Sequence, residues 1–163
     1  MPAPDLAELT TLRLGGPAAR YVVAGSEAEL LDAVRSADAQ GEPLLVVGGG
    51  SNLVVADAGF PGLVVQDGRR GLRFDGSDGC GGAGITVDAG TPWGAVVDRA
   101  VEEGWVGVEA LAGIPGSTGA TPVQNVGAYG QEVAGVISTV RVSGMRTSRP
   151  VHRCATSRPR RTP

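Results

Sequence analysis

A fold mixing helices with strands is predicted by three observations. A strand–helix–strand unit runs from residue 19 to residue 47. A triple-glycine loop then separates two β-rich runs, and a second strand–helix pair occupies residues 84–104. The first strand is "ARYVVAG", residues 19–25, whose residues alternate. Ser26 follows as an N-cap, with Glu29 three residues on to complete a capping box. Leu30, Leu31, Val34 and Ala37 give the helix one apolar face. Gly41 ends the helix and Pro43 blocks its continuation. Leu44–Val47 is the second strand, and short strands are expected near Leu53–Val55 and Leu63–Val65, making a β-α-β-loop-β unit.

The following stretch, Arg69–Gly84, is rich in Gly, Asp and Arg and reads as a junction around a short "LRF" strand. "GITVDAG", residues 84–90, reads as another strand. Thr91-Pro92 opens the second helix as cap and first helical residue. Trp93, Val96, Val97, Ala100 and Val101 are expected on its buried face, and Gly104 ends it. Trp93 and Trp105 are read as core packing.

Gly48-Gly49-Gly50-Ser51-Asn52 is the first stretch that asks for a ligand. Glycines let backbone amides approach an anion without a Cβ in the way. A phosphate cradle and an ordinary surface turn both fit this stretch alone. The second stretch is "LAGIPGSTGATPVQNVGAYGQE", Leu111–Glu132, with glycines at 113, 116, 119, 127 and 130. Residues this small leave room for a large flat group. Gln124 and Asn125 offer amide donors and acceptors for the edge of a heterocycle. Apolar Ile114, Val123 and Val126 argue against a featureless loop.

Composition narrows the class. The chain has 163 residues and is 42% hydrophobic, enough for one domain or two small lobes. No apolar run approaches the ~20 residues of a spanning helix, so no membrane partner is expected. The N-terminus carries Asp5 and Glu8 without the basic and apolar regions of a signal peptide. Cys80, Cys154 and the single His152 match no metal spacing, and a cytoplasmic location is expected. All 14 basic residues are arginine. Residues 1–140 hold seven of them against seventeen acids, a charge of −10, whereas residues 141–163 carry +7 with no acid. The acidic body repels polyanions, so nucleic acid is not an expected partner.

Two common phosphate folds do not fit. Gly48 and Gly50 match a Rossmann G-x-G-x-x-G, but Leu53 stands where the third glycine belongs, and no helix pattern follows. A Walker loop needs a lysine, and the chain has none. "LLVVGGGSNLVV" followed by "LAGIPGSTGATPVQNVGAYGQE" instead resembles the UDP-N-acetylenolpyruvoylglucosamine reductases (UDP-N-acetylmuramate dehydrogenases), flavoenzymes of peptidoglycan precursor synthesis. "LTTLRLGGPAARYVV" and "GVEALAGIPG" fit too, so the resemblance covers about residues 9–142.

The resemblance implies a truncated, two-lobed α+β FAD-binding fold of the vanillyl-alcohol-oxidase (PCMH) type. Residues 1–70 and 71–142 would be its first and second lobes. Gly48, Gly49, Gly50, Ser51, Asn52 and Leu53 would carry the pyrophosphate of FAD. Ile114, Pro115, Gly116, Thr118, Gly119 and Ala120 would line the flavin, with Gln124, Asn125 and Gly127 nearby. Tyr129 would face the UDP-sugar substrate. In the family NADPH gives hydride to FAD, which passes it to the enolpyruvyl double bond. A serine supplies the proton, and an arginine and a glutamate stabilise the intermediate. None of these three can be placed on this chain, so no catalytic residue is assigned and the chain is expected to be inactive alone. The alternative is a non-enzymatic flavin-binding module.

The match stops near Val142. Residues 143–163 have no apolar periodicity and are expected to be a basic disordered tail. A nucleic-acid arm and translation out of frame both explain such a tail. Reading two nucleotides later from Arg149, the genetic code permits Thr-Gly-x-Pro-Val-Arg-Asp-Leu, which resembles the family's continuation, so the out-of-frame reading is preferred.

Overall fold

The computed structural model describes residues 3–78 and 82–143. Cys80, His152, Cys154 and the expected disordered tail beyond residue 143 therefore lie outside the described residues. β1 (Ala18–Ala24), β2 (Leu44–Val47) and β3 (Phe60–Asp67) form a parallel sheet in the order β1-β3-β2. β3 is central and has both faces covered, so Leu63, Val64 and Val65 are all buried. Val64 packs with Leu6, Ala18 and Val47 on one face, while Leu63 and Val65 pack with Ala24 and Ala37 on the other. That alternation follows from the two-residue period of a strand.

α1 (Glu27–Gln40) covers the second of these faces through Leu30, Ala33 and Ala37, with Leu31 and Val34 half-buried. Its start is the expected capping box. Ser26 Oγ accepts the Glu29 N–H at 3.2 Å, and the Glu29 carboxylate accepts the Gly25 N–H at 2.7 Å. Gly41 caps the end.

The second half opens with an antiparallel pair, β4 (Leu72–Asp78) and β5 (Gly82–Val87), followed by α2 (Trp93–Glu102). A one-turn helix α3 (Thr121–Gln124) precedes a small hairpin of β6 (Gly127–Ala128) and β7 (Gln131–Glu132). Trp93, Val96, Val97, Leu111, Val126 and Val133 make a separate core, with Leu72, Ile85 and Val87 packed against it. The Trp93 indole N–H is satisfied inside that core by the Leu111 carbonyl at 3.2 Å.

Several expectations change. Leu53–Val55 is not a strand: it joins neither open edge of the β1-β3-β2 sheet, Leu53 packs into the core, and Val54 is 75% exposed. The "LRF" strand is longer than expected and forms a ladder with β5, which ends at Val87 rather than residue 90. Pro92, not Thr91, occupies the N-cap of α2. The Thr91 hydroxyl is engaged with the Gly71 backbone instead, accepting its N–H at 3.1 Å. Val101 is 59% exposed and does not join the buried face of α2. Trp105 is only half-buried and stacks on the exposed ring of Phe74 at 5.8 Å. Among the described residues no helix is long and apolar enough to cross a membrane.

Candidate functional site

The glycine loop begins where β2 ends. Its partner across the fold is the segment 115–117, and the approach is close. A Cβ on Gly48 would stand 2.2 Å from Ser117 Oγ, and one on Gly49 would stand 2.9 Å from Gly116 Cα. Ser51 Oγ donates to the Pro115 carbonyl at 3.4 Å. Gly50 has a φ of +65°, and a Cβ there would overlap the Leu9 carbonyl oxygen at 1.8 Å. The three glycines are thus required by contacts within the protein.

The same loop still has anion-binding character. Among the described residues, the N–H groups of Gly49, Gly50, Ser51 and Asn52 find no acceptor in the protein. Gly50 is buried, and a buried amide without an acceptor is costly unless something else accepts from it. A cleft of about 260 Å³ opens beside the loop, with Gly48 and Gly49 on one wall and Gly116 and Ser117 on the other. Sites for whole drug-sized ligands run to ~300–1,000 Å³. The cleft therefore suits the middle of a dinucleotide rather than all of it.

The second glycine segment is fixed by the start of α2. Trp93 N–H donates to the Gly116 carbonyl at 3.0 Å, and Thr118 N–H and Oγ1 both donate to the Thr91 carbonyl, at 2.8 and 2.9 Å. Gly119 N–H donates to the Ala89 carbonyl at 2.8 Å. Ile114 packs against the core around Trp93, and Ala120 is half-buried. Gly48, Gly49, Ser51, Pro115 and Gly116 are therefore brought together. Asn52 is exposed, and Leu53 packs into the core around Val47 and Val64.

Gln124, Asn125 and Gly127 are exposed and do not line the cleft. Tyr129 lies at the tip of the β6–β7 hairpin with 96% of its surface in solvent. Its φ is +52° and that of Gly130 is +83°, a two-residue turn with both centres left-handed.

Seven cleft residues escaped the sequence reading as site residues: Glu8, Leu9, Gln66, Arg70, Gly90, Pro92 and Ser117. Ser117 lay within the quoted motif but has no side-chain signature. Gln66 is held by the Tyr21 hydroxyl, across from β3 to β1, a contact that no local pattern reveals. Burial raises the Tyr21 hydroxyl above its ordinary pKa.

Beneath the cleft lies a charge cluster. Arg69 binds the Asp67 carboxylate with both arms of its fork, Nε to Oδ1 at 2.9 Å and Nη2 to Oδ2 at 2.7 Å. Burial alone would raise Asp67. The hydrogen bonds and charge of Arg69, with Arg70 nearby, hold it below the ordinary carboxylate value instead. A larger groove of about 480 Å³, between Leu72, Phe74 and Trp105, contains neither glycine motif.

The FAD binding domain family matches residues 18–147. A UDP-N-acetylenolpyruvoylglucosamine reductase from Saccharopolyspora erythraea is 60% identical over 87% of this chain, and one from Streptomyces coelicolor is 52% identical over 90%. The crystal structure of a UDP-N-acetylenolpyruvylglucosamine reductase from Thermus caldophilus is similar with a TM-score of 0.62 at 30% identity, covering 80% of this chain and 44% of its own. The chain spans 38% and 37% of the length of the two curated relatives. The resemblance to this reductase family and the α+β FAD-binding fold class are thereby borne out, with FAD as the cofactor. With its family model matched from residue 18 to residue 147, the chain belongs to the FAD binding domain family.

Proposed function

We propose that this chain is the flavin-holding part of an NADPH-dependent reductase that converts UDP-N-acetylenolpyruvoylglucosamine to UDP-N-acetylmuramate. That role would lie in the cytoplasm, in the supply of cell-wall precursors on which cell shape and division depend. The observation that carries the reading is the run of acceptor-free amides at Gly49–Asn52, which begins at the cleft wall where Gly49 faces Gly116. Amides in such a row cradle a diphosphate.

In this reading residues 1–70 and 71–142 act as two lobes, and the diphosphate of FAD lies between them on Gly48–Leu53. Ile114–Gly116 and Thr118–Ala120 flank the flavin. Gln124, Asn125 and Gly127 sit on its outer side, and Tyr129 faces the UDP-sugar. FAD supplies the hydride relay from NADPH to the enolpyruvyl double bond. The chain's own contribution is to bind and orient: Ser51 ties the first loop to Pro115, and Thr118 and Gly119 tie the second to residues 89–91.

No residue of this chain is assigned as the acid that would protonate the other carbon. The expected result is FAD binding, read as quenching of flavin fluorescence, without substrate-dependent NADPH consumption. Quenching with no saturable affinity defeats the cofactor reading. Substrate-dependent turnover near the ~10 s⁻¹ of ordinary enzymes defeats the assignment of the chain as a binding part only.

A further inference from the structure

Two charged side chains, Glu8 and Arg70, line the cleft. Arg70 has a built seat. Its Nη1 donates to the Asp67 carbonyl at 3.0 Å and to the Arg69 carbonyl at 2.7 Å. The seat is roofed by Gly90: a Cβ there would stand 2.7 Å from Arg70 Nη1 and 2.5 Å from the Asp67 carbonyl oxygen. The neighbouring carboxylate of Asp67 is already taken, in a bidentate pair with Arg69. Among the described residues, no carboxylate oxygen lies within ion-pair distance of Arg70. One guanidinium nitrogen is therefore anchored on the backbone, and its charge meets the Asp67 carboxylate only through space, without an ion-pair contact, in the same cleft as the Gly48–Gly49 wall.

We infer that Arg70 is the fixed positive charge against which the cleft holds the diphosphate of its dinucleotide. The inference rests on the reading of FAD as the ligand. The loop amides supply directional hydrogen bonds but only partial charges, while a diphosphate carries full negative charge. An arginine whose fork is already oriented loses little side-chain freedom on binding. A charge-assisted hydrogen bond from it is stronger than one from a neutral amide. Glu8 lines the same cleft as an exposed carboxylate and opposes the anion. Arg70 and Glu8 thus set the affinity between them, with Arg70 the attractive member.

The test uses the full chain and two flavins, FAD and riboflavin, the latter without phosphate, each followed by fluorescence quenching. Arg70→Gln should weaken FAD by about 10- to 100-fold and leave riboflavin unchanged. Glu8→Gln should tighten FAD by a few-fold. Wild-type affinity for FAD should fall between ~0.05 and ~0.5 M salt more steeply than that of Arg70→Gln.

Unchanged FAD affinity in Arg70→Gln overturns the inference. So does a matched loss of both flavins, which marks a structural role. If Arg70→Gln melts earlier than wild type, Arg70→Lys decides. Affinity for FAD several-fold closer to wild type than that of Arg70→Gln supports the charge, and an equal loss overturns it. Failure of the wild-type chain to bind FAD at all overturns the cofactor reading together with this inference, whereas binding by wild type with an indifferent Arg70 overturns this inference alone.

Discussion

At Gly50 two independent demands meet on one residue: a left-handed φ and a backbone approach that leaves no room for a methyl group. Gly50→Ala should therefore cost more than about 2 kcal/mol and lower the melting temperature without any ligand present. A variant as stable as wild type, with only its flavin binding lost, would show that the Leu9 contact is not rigid. Asp67 makes a different demand. Its carboxylate is buried and paired, so Asp67→Ala leaves Arg69 without its main partner and should cost about 3 kcal/mol. The folded-state pKa of Asp67 is depressed. The stabilisation it brings is complete above its ordinary value of ~3.9 and is lost as pH falls through the lower folded value. Chemical denaturation at stepped pH should show wild type losing stability in acid, and Asp67→Ala losing less over the same range.

Among the elements, the β6–β7 hairpin carries visible strain. Tyrosine at a φ of +52° is unfavourable, and turns with both centres left-handed favour Asn-Gly. Tyr129→Asn should raise stability by about 0.5–1 kcal/mol. A drop in melting temperature would show that the exposed ring makes a contact worth more than the strain. α1 was legible from its sequence because a capping box, an apolar face and a terminal glycine are all local signals. Leu53–Val55 differs because a β-rich run becomes a strand only where it meets a neighbour's edge, and here Leu53 turns into the core beside Val47 and Val64 instead. The glycine loop was legible as a place of close approach. Its partner was not, because Leu9 and Ser117 are distant in sequence. Arg70 carries no motif: its position is fixed by two backbone carbonyls and by the missing Cβ of Gly90. Tyr129, by contrast, was legible only through the resemblance and Gln124 only by its amide chemistry, and the cleft includes neither.

On the scale of the whole molecule, the sheet order β1-β3-β2 places the strand that comes last between the two that come first. β1 and β2 share no hydrogen bond with each other; each is held only by β3. Native-state hydrogen exchange should therefore show β1, β2 and β3 opening with one shared free energy. Protection of β1 and β2 that survives a disruptive substitution such as Val64→Asp would overturn this. The order also has a consequence on the ribosome. The β1-α1-β2 segment emerges first, with an empty slot where its central strand belongs. At ~5–20 residues per second, the interval between Val47 and Asp67 lasts about one to four seconds. Throughout it, two apolar strands present bare edges to solvent. The nascent chain should therefore crosslink to a chaperone that holds exposed strands until Asp67 clears the exit tunnel, and release from it soon after.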